Sequence, residues 1–458
     1  MAPLILGIVL NTCGVEAVDA EVNAQFRAGI AVVDITPAAD VPLSGPIGGS
    51  GKASVIHDRL YARALAIDDG NDRVVFCVCD LTVIADEIHE RVRTVVHERT
   101  KLPPSHLLVS ATHTHRSPRA MALDLGPAHE RYREKLAVRI AEAVSKAVKN
   151  LEPATIAWGA INKPEHSKNR RWLMKPGSLG PNPFGERTDQ VKMHGGTGRV
   201  RAVGPVDPEL SVVSFQRPDG SQLALFANYS IHYGKGGSGV SADYFGYFVR
   251  EVEEKLGAED KPCMAVMSNG TSGDINSGGN PAHLGKSLAA AAIQVVRKLK
   301  HRKRAALKVQ ESVLQLEVRR PDAARLAWAK DVLAGTWKKP AHKWKRKYAQ
   351  SALWLSKFPP KIPVRLRAIR IGDLAIASAP CEVFAETGLA IKEQSPFEDT
   401  FTVSLANGYR GYLPPPEQHA LGGYTTWPAV SSCLAVDAEP KVRAEVLRLL
   451  ETLDGETE

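Results

Sequence analysis

Short β-rich runs alternate with helical runs from residue 26 to about 214, and this alternation limits most narrowly what the chain can become. Strands are predicted over 27–36, 62–67, 73–79 and 107–111, and helices over 87–99 and 129–150. Such alternation belongs to α/β folds, in which mixed sheets are flanked by helices. The pattern resumes with strands at 209–215 and 223–229, a helix at 244–256, a buried strand at 263–267 and an alanine-rich helix at 284–296. Strands at 365–371, 374–379 and 400–405 follow, with a helix at 383–393. No composition break, linker or internal repeat divides 26–450, so a single domain is expected. Between 163 and 204 the chain is rich in Gly, Pro, Asn and Arg without periodicity, and long irregular loops usually serve a site. That stretch is predicted to be a wall of the site.

With 44% hydrophobic and 24% charged residues in 458, the chain can bury a substantial core, which excludes disorder over most of its length. Residues 1–20 differ. An apolar stretch from Pro3 to Leu10 is followed by small residues around Ala20, which reads as a cleaved export signal, although no cation precedes it. An exported protein beginning near Glu21 is therefore expected. Six cysteines, of which Cys13 would leave with the signal, do not suggest a disulfide framework. Cys77 and Cys79 share a strand face and are expected in the core. The net charge of +9 gathers in 297–304, read as a solvated helix end, and in 338–347 within a helical stretch at 321–358. Trp337, Trp344 and Trp354 are interleaved there. That basic segment is either an exposed helical pair or a contact for a membrane surface. Charge alone would admit nucleic acid, but no nucleic-acid module accompanies it.

The chemistry concentrates where apolar strands run out. Residues 107–111 lead into Thr112-His113-Thr114-His115, and residues two apart on a strand share a face, so both imidazoles point into one space. Alone, such a pair is a metal site or two hydrogen-bonded histidines. His232 ends another apolar strand, and Glu382 follows the strand at 374–379. Strand exits along one sheet edge are where open α/β structures place their sites. Two histidines and a carboxylate form a common catalytic zinc set.

In this context the sequence resembles the neutral (alkaline, non-lysosomal) ceramidases. Ser110 to His115 is similar to the family's Thr-His-Thr-His motif, Asn169-Arg170 to its Asn-Arg pair, and Asn228 to His232 to the segment of its second zinc histidine. Ser241 to Tyr244 resembles the segment that follows. Ala379-Pro380-Cys381-Glu382 resembles its Pro-Gly-Glu element, with Cys381 for glycine, and Tyr412 and Tyr424 match its two active-site tyrosines. The resemblance implies Zn²⁺ held by His113, His232, Glu382 and Tyr412, with His115 as general base or acid and Arg170 and Tyr424 stabilising an oxyanion.

Two departures stand out. The family's Gly-Asp-Val-Ser is here Gly273-Asp274-Ile275-Asn276, and an amide cannot form an acyl-enzyme. Asn276 is then expected to orient substrate or water, and Asp274 to anchor its loop. The family's C-terminal β-sandwich has no counterpart after about Leu449. The expected function is hydrolysis of a ceramide-like or other N-acyl substrate, small or lipid, by metal-activated water. A different N-acyl or ester substrate on the same zinc site, or a silent metal-containing binding protein, remain the competing readings.

Overall fold

The computed structural model describes residues 25–44, 51–121, 126–233, 237–276 and 279–455. The expected export signal and Cys13 lie outside them. Three sheets share one apolar core. The first runs in the order Leu107–Ala111, Arg73–Cys79, Tyr61–Asp68, Arg27–Asp34 and Glu152–Pro153. The second runs Met264–Asn269, Gln222–Tyr229, Glu209–Gln216 and Thr155–Asn162, and the third Leu307–Glu317, Lys361–Ile371, Leu374–Ser378 and Asp399–Val403. All three mix parallel and antiparallel pairs.

Period-two alternation sorts each strand between two environments. On Arg73–Cys79, Phe76 and Val78 face the core shared with the other sheets, while Cys77 and Cys79 face helices Asp86–Thr100 and Pro127–Lys149. Small residues on that outer face let the helices approach closely. A Cβ on Gly29 would sit 2.2 Å from the Ala147 carbonyl oxygen, so only glycine fits there. Phe215, Phe226, Ile376 and Phe401 bring the other sheets into the central core. Truncating one of these phenylalanines to alanine would cost about 3–5 kcal/mol. Helices Asp243–Leu256 and Pro281–Val296 cover the second sheet, and Ala385–Gln394 and Ala438–Gly455 the third.

The predicted elements recur with boundaries shifted by a few residues, and the α/β class stands. Several expectations need correction. The stretch 163–204 is not irregular throughout: Val191–Met193, Arg171–Met174 and Arg199–Ala202 form a small sheet. Its strands are too short for a periodic signal. Strand Leu307–Glu317 is absent from the predicted set because it is an edge strand, mostly half-exposed and polar. The terminal helix Ala438–Gly455 is also absent from it, although Val442, Val446, Leu449 and Leu453 carry helical spacing. The basic segment is a helical pair as one reading had it, Ala323–Ala334 and Lys345–Leu355, but packed on Phe184 rather than simply exposed. All five cysteines in the described residues are buried and free. None of the described helices is long and apolar enough to cross a membrane.

Candidate active site

The three chemical groups leave three different sheets, not one sheet edge as expected. His113 follows Leu107–Ala111 of the first sheet, His232 follows Gln222–Tyr229 of the second, and Glu382 follows Leu374–Ser378 of the third. Their exits interlock. The Asn269 amide donates to the carbonyls of Thr112, at 3.2 Å, and His232, at 3.5 Å. Leu405 N–H donates to Cys381 O, and Ala111 N–H to Leu405 O.

His113 sits at φ +70°, a left-handed backbone that a non-glycine residue adopts at a cost, as is frequent at functional sites. Its Nδ1 lies 2.8 Å from the Thr82 carbonyl. A carbonyl only accepts, so Nδ1 carries the proton and Nε2 presents a lone pair. His232 repeats this arrangement through Nδ1 and the Ser272 carbonyl, at 3.3 Å. The two Nε2 atoms then face each other 3.2 Å apart. Two lone pairs at that distance repel unless a cation lies between them. His115 Nε2 is also 3.2 Å from His113 Nε2.

Glu382 enters from the third sheet. Strand Glu382–Val383 pairs in parallel with Tyr412–Leu413, with Glu382 opposite Tyr412, so both side chains issue from one face. Oε1 accepts from the Tyr409 hydroxyl at 2.9 Å. Oε2 is buried without a hydrogen-bond partner and lies 3.5 Å from His113 Nε2. Burial pushes this carboxyl up, but His113, Arg170 and Tyr409 together hold it below its usual range. Burial, with the neighbouring His113 ring and the charge of Arg170, keeps His115 well below the usual imidazole range.

These residues suit a metal ion. Nitrogens around a tetrahedral zinc lie about 3.3 Å apart, given Zn–N bonds of roughly 2.0–2.1 Å. The facing imidazoles match that spacing, and the orphaned Glu382 oxygen adds a charged donor. His113, His115 and His232 themselves form a group whose ligand atoms lie within 4.8 Å of one another. Two assignments therefore exist for His115, third ligand or proton carrier, and they differ in whether its loss removes the metal.

The other expected residues surround this centre. Arg170, almost wholly buried, donates to Gly273 O at 2.7 Å and to the Tyr412 hydroxyl at 3.2 Å. Tyr412 is thus engaged by Arg170, and its ring meets that of Tyr424 edge-on at 5.8 Å. Burial and Glu382 push the Tyr424 phenol up to about 12, so it is a donor at neutral pH. Both Asp274 carboxylate oxygens are taken, by Ala385 N–H and the Asn169 amide, which is the anchoring placement. Asn276 is half-buried and bonds the His194 side chain.

Three residues here escape the sequence reading. Tyr409 holds Glu382; Tyr233 stacks on His115 at 4.0 Å; and His194, at φ +61°, donates its backbone N–H to Arg170 O. Adjacency offers the only clue, since Tyr233 follows His232 and Tyr409 precedes Tyr412 by three. The basic segment also reaches the site. Trp344 meets Tyr424 edge-on at 5.6 Å, whereas Trp354 is exposed.

Comparison with known proteins places the chain in a family and a fold. Residues 26–287 match the sequence family described as neutral/alkaline non-lysosomal ceramidase, N-terminal. The fold is similar to that of neutral ceramidase from Pseudomonas aeruginosa, with a TM-score of 0.73 at 18% identity over 94% of this chain and 75% of that one. It is also similar to a ceramidase complexed with C2, with a TM-score of 0.69 at 17% identity over 94% and 76%.

Proposed function

The chain belongs to the neutral/alkaline non-lysosomal ceramidase family, and from that footing we propose that it is a zinc-dependent hydrolase of an N-acyl amide bond. The observation that carries the proposal is the convergence of His113, His232 and the unpartnered Glu382 oxygen from three sheets. Buried groups of this kind are costly to assemble without an ion to satisfy them. Bound zinc supplies Lewis acidity toward the amide carbonyl and lowers the pKa of water.

The chain's own residues do the rest. His115 is neutral, faces the site through Nε2 and is fixed by the Tyr233 ring, so it takes a proton from water and returns it to the leaving amine. Arg170 and Tyr424 donate to the developing oxyanion. The Asp274 main-chain carbonyl accepts the Arg170 backbone N–H at 2.8 Å, while its carboxylate anchors the loop through Asn169 and Ala385. Asn276 holds water or substrate and makes no covalent bond with the acyl group. Export through residues 1–20, and contact of the exposed Trp354 face with a membrane surface, belong to the same proposal. N-terminal sequencing and vesicle sedimentation test them.

The central test is elemental analysis combined with a panel of N-acyl substrates, ceramide among them, assayed before and after chelation. About one zinc per chain and chelator-sensitive amide cleavage are expected. Metal-free protein that still cleaves amides would overturn the reading.

A further inference from the structure

The hairpin that carries the basic segment is anchored. Trp328, Ala329 and Val332 of its first helix pack on Tyr348 and Ala349 of its second and on Phe184. Arg346 closes the connection by donating to Val332 O and Leu333 O, both at 3.1 Å, and His342 N–H donates to Asn182 O at 3.1 Å. The positions of His342 and Trp344 are therefore set by packing.

Those two side chains extend the site. Beyond Tyr412 and Tyr424, the Trp344 ring lies 5.6 Å from Tyr424, and His342 lies 4.8 Å from Trp344 and 5.5 Å from Trp427. Tyr424, Trp344, His342 and Trp427 are each only half-buried and pack as one cluster, with Trp427 also 6.3 Å from Tyr424, so the cluster presents aromatic edges to solvent beside Tyr424. Cationic side chains lie near it. Lys343 Nζ is 5.7 Å from the Trp344 ring, and the positive charges of Lys343 and Lys192 both bear on His342. Among the described residues neither lysine forms an ion pair. The nearby acids are already engaged: Asp189 accepts from the Trp427 indole at 2.8 Å, and Glu186 pairs with Arg325 at 3.2 Å.

Resting on the hydrolase reading above, we infer that the half-exposed aromatic cluster beside Tyr424 is an outer subsite for an anionic group on the N-acyl substrate, with Lys192 and Lys343 at its edge. The substrate class is then an N-acyl amide bearing a carboxylate, sulfate or phosphate. A neutral hydroxylated head group gains nothing from two unpaired ammonium groups, whereas an anion gains from both.

The test compares wild type with the Lys192→Gln/Lys343→Gln double variant, whose substitutions fall on exposed side chains outside the proposed catalytic set. Hydrolysis of N-dodecanoyl glutamate and of N-dodecanoyl ethanolamine is measured at low and high salt. The double variant is expected to lose roughly tenfold in kcat/KM for the glutamate conjugate, the scale of two partly exposed charge contacts. The ethanolamide should stay within about twofold, and the anionic preference should fade above physiological salt, where screening shortens to less than about 8 Å. In parallel, tryptophan fluorescence follows binding of dodecyl phosphate and of dodecanol, which needs no turnover. Dodecyl phosphate binding wild type about tenfold more tightly than the variant supports the subsite even if no amide is cleaved, in which case only the hydrolase reading falls. Equal binding by both proteins overturns the subsite, whatever the hydrolysis results.

Discussion

Replacing Tyr409 by phenylalanine isolates one hydroxyl. That hydroxyl donates to Glu382 Oε1 at 2.9 Å, in surroundings where Glu382 is only 4% exposed. A hydrogen bond to a buried charged acceptor contributes about 1.5–3 kcal/mol. Phenylalanine keeps the ring and its packing but leaves Oε1 without its donor, beside an Oε2 that already has none. The metal-free protein should lose about 1–3 kcal/mol of stability, less if water reaches the freed oxygen. Freed from the phenol, the carboxylate can also turn away from His113. Loss of a group that orients a metal-binding side chain typically lowers metal affinity about 10- to 100-fold. Chelator competition measures the affinity, and urea unfolding of metal-free protein measures the stability. Unchanged zinc affinity together with an unchanged urea midpoint would refute the claim that Tyr409 positions Glu382.

Three other outcomes are expected. His115→Ala should lower turnover roughly a hundredfold or more while zinc content stays at the wild-type level; loss of the metal would make His115 a ligand instead. Ser272→Ala should leave turnover within about threefold, because His232 is held by the Ser272 backbone carbonyl and no acyl group passes through the hydroxyl. An acyl adduct on that serine, seen by mass spectrometry, would contradict direct attack by water. Burial, with some help from Asp58, pushes the Asp80 carboxyl up to about 6 against the opposing pull of Arg63. A raised acid contributes stability that is fully present below its unfolded pKa, about 3.9, and is lost as pH rises through 6. Asp80→Asn should therefore flatten the fall in stability between about pH 4 and 7, and urea midpoints that track wild type across that range would count against it.

Local pattern decided a good deal. The strands Arg73–Cys79, Leu107–Ala111 and Gln222–Tyr229 were legible because alternation and β-branched content are properties of a few consecutive residues. The candidacy of His113, His232 and Glu382 was legible for a similar reason, since each closes an apolar run. Alternation states which residues share a face but carries no information about which sheet a strand joins. The separation into three sheets around Phe76, Phe226 and Phe401 is set by long-range pairing and packing, so the expected single edge became three converging exits. The same physics hid Tyr409, Tyr233 and His194, whose value lies in contacts with side chains rather than in spacing. It also hid the role of Trp344. In sequence that residue lies among lysines and reads as part of an exposed helical pair or of a membrane-surface contact, but packing of the hairpin on Phe184 turns it against Tyr424. Charge and periodicity are written along the chain, whereas the neighbours of a buried ring are chosen only when distant elements close around it.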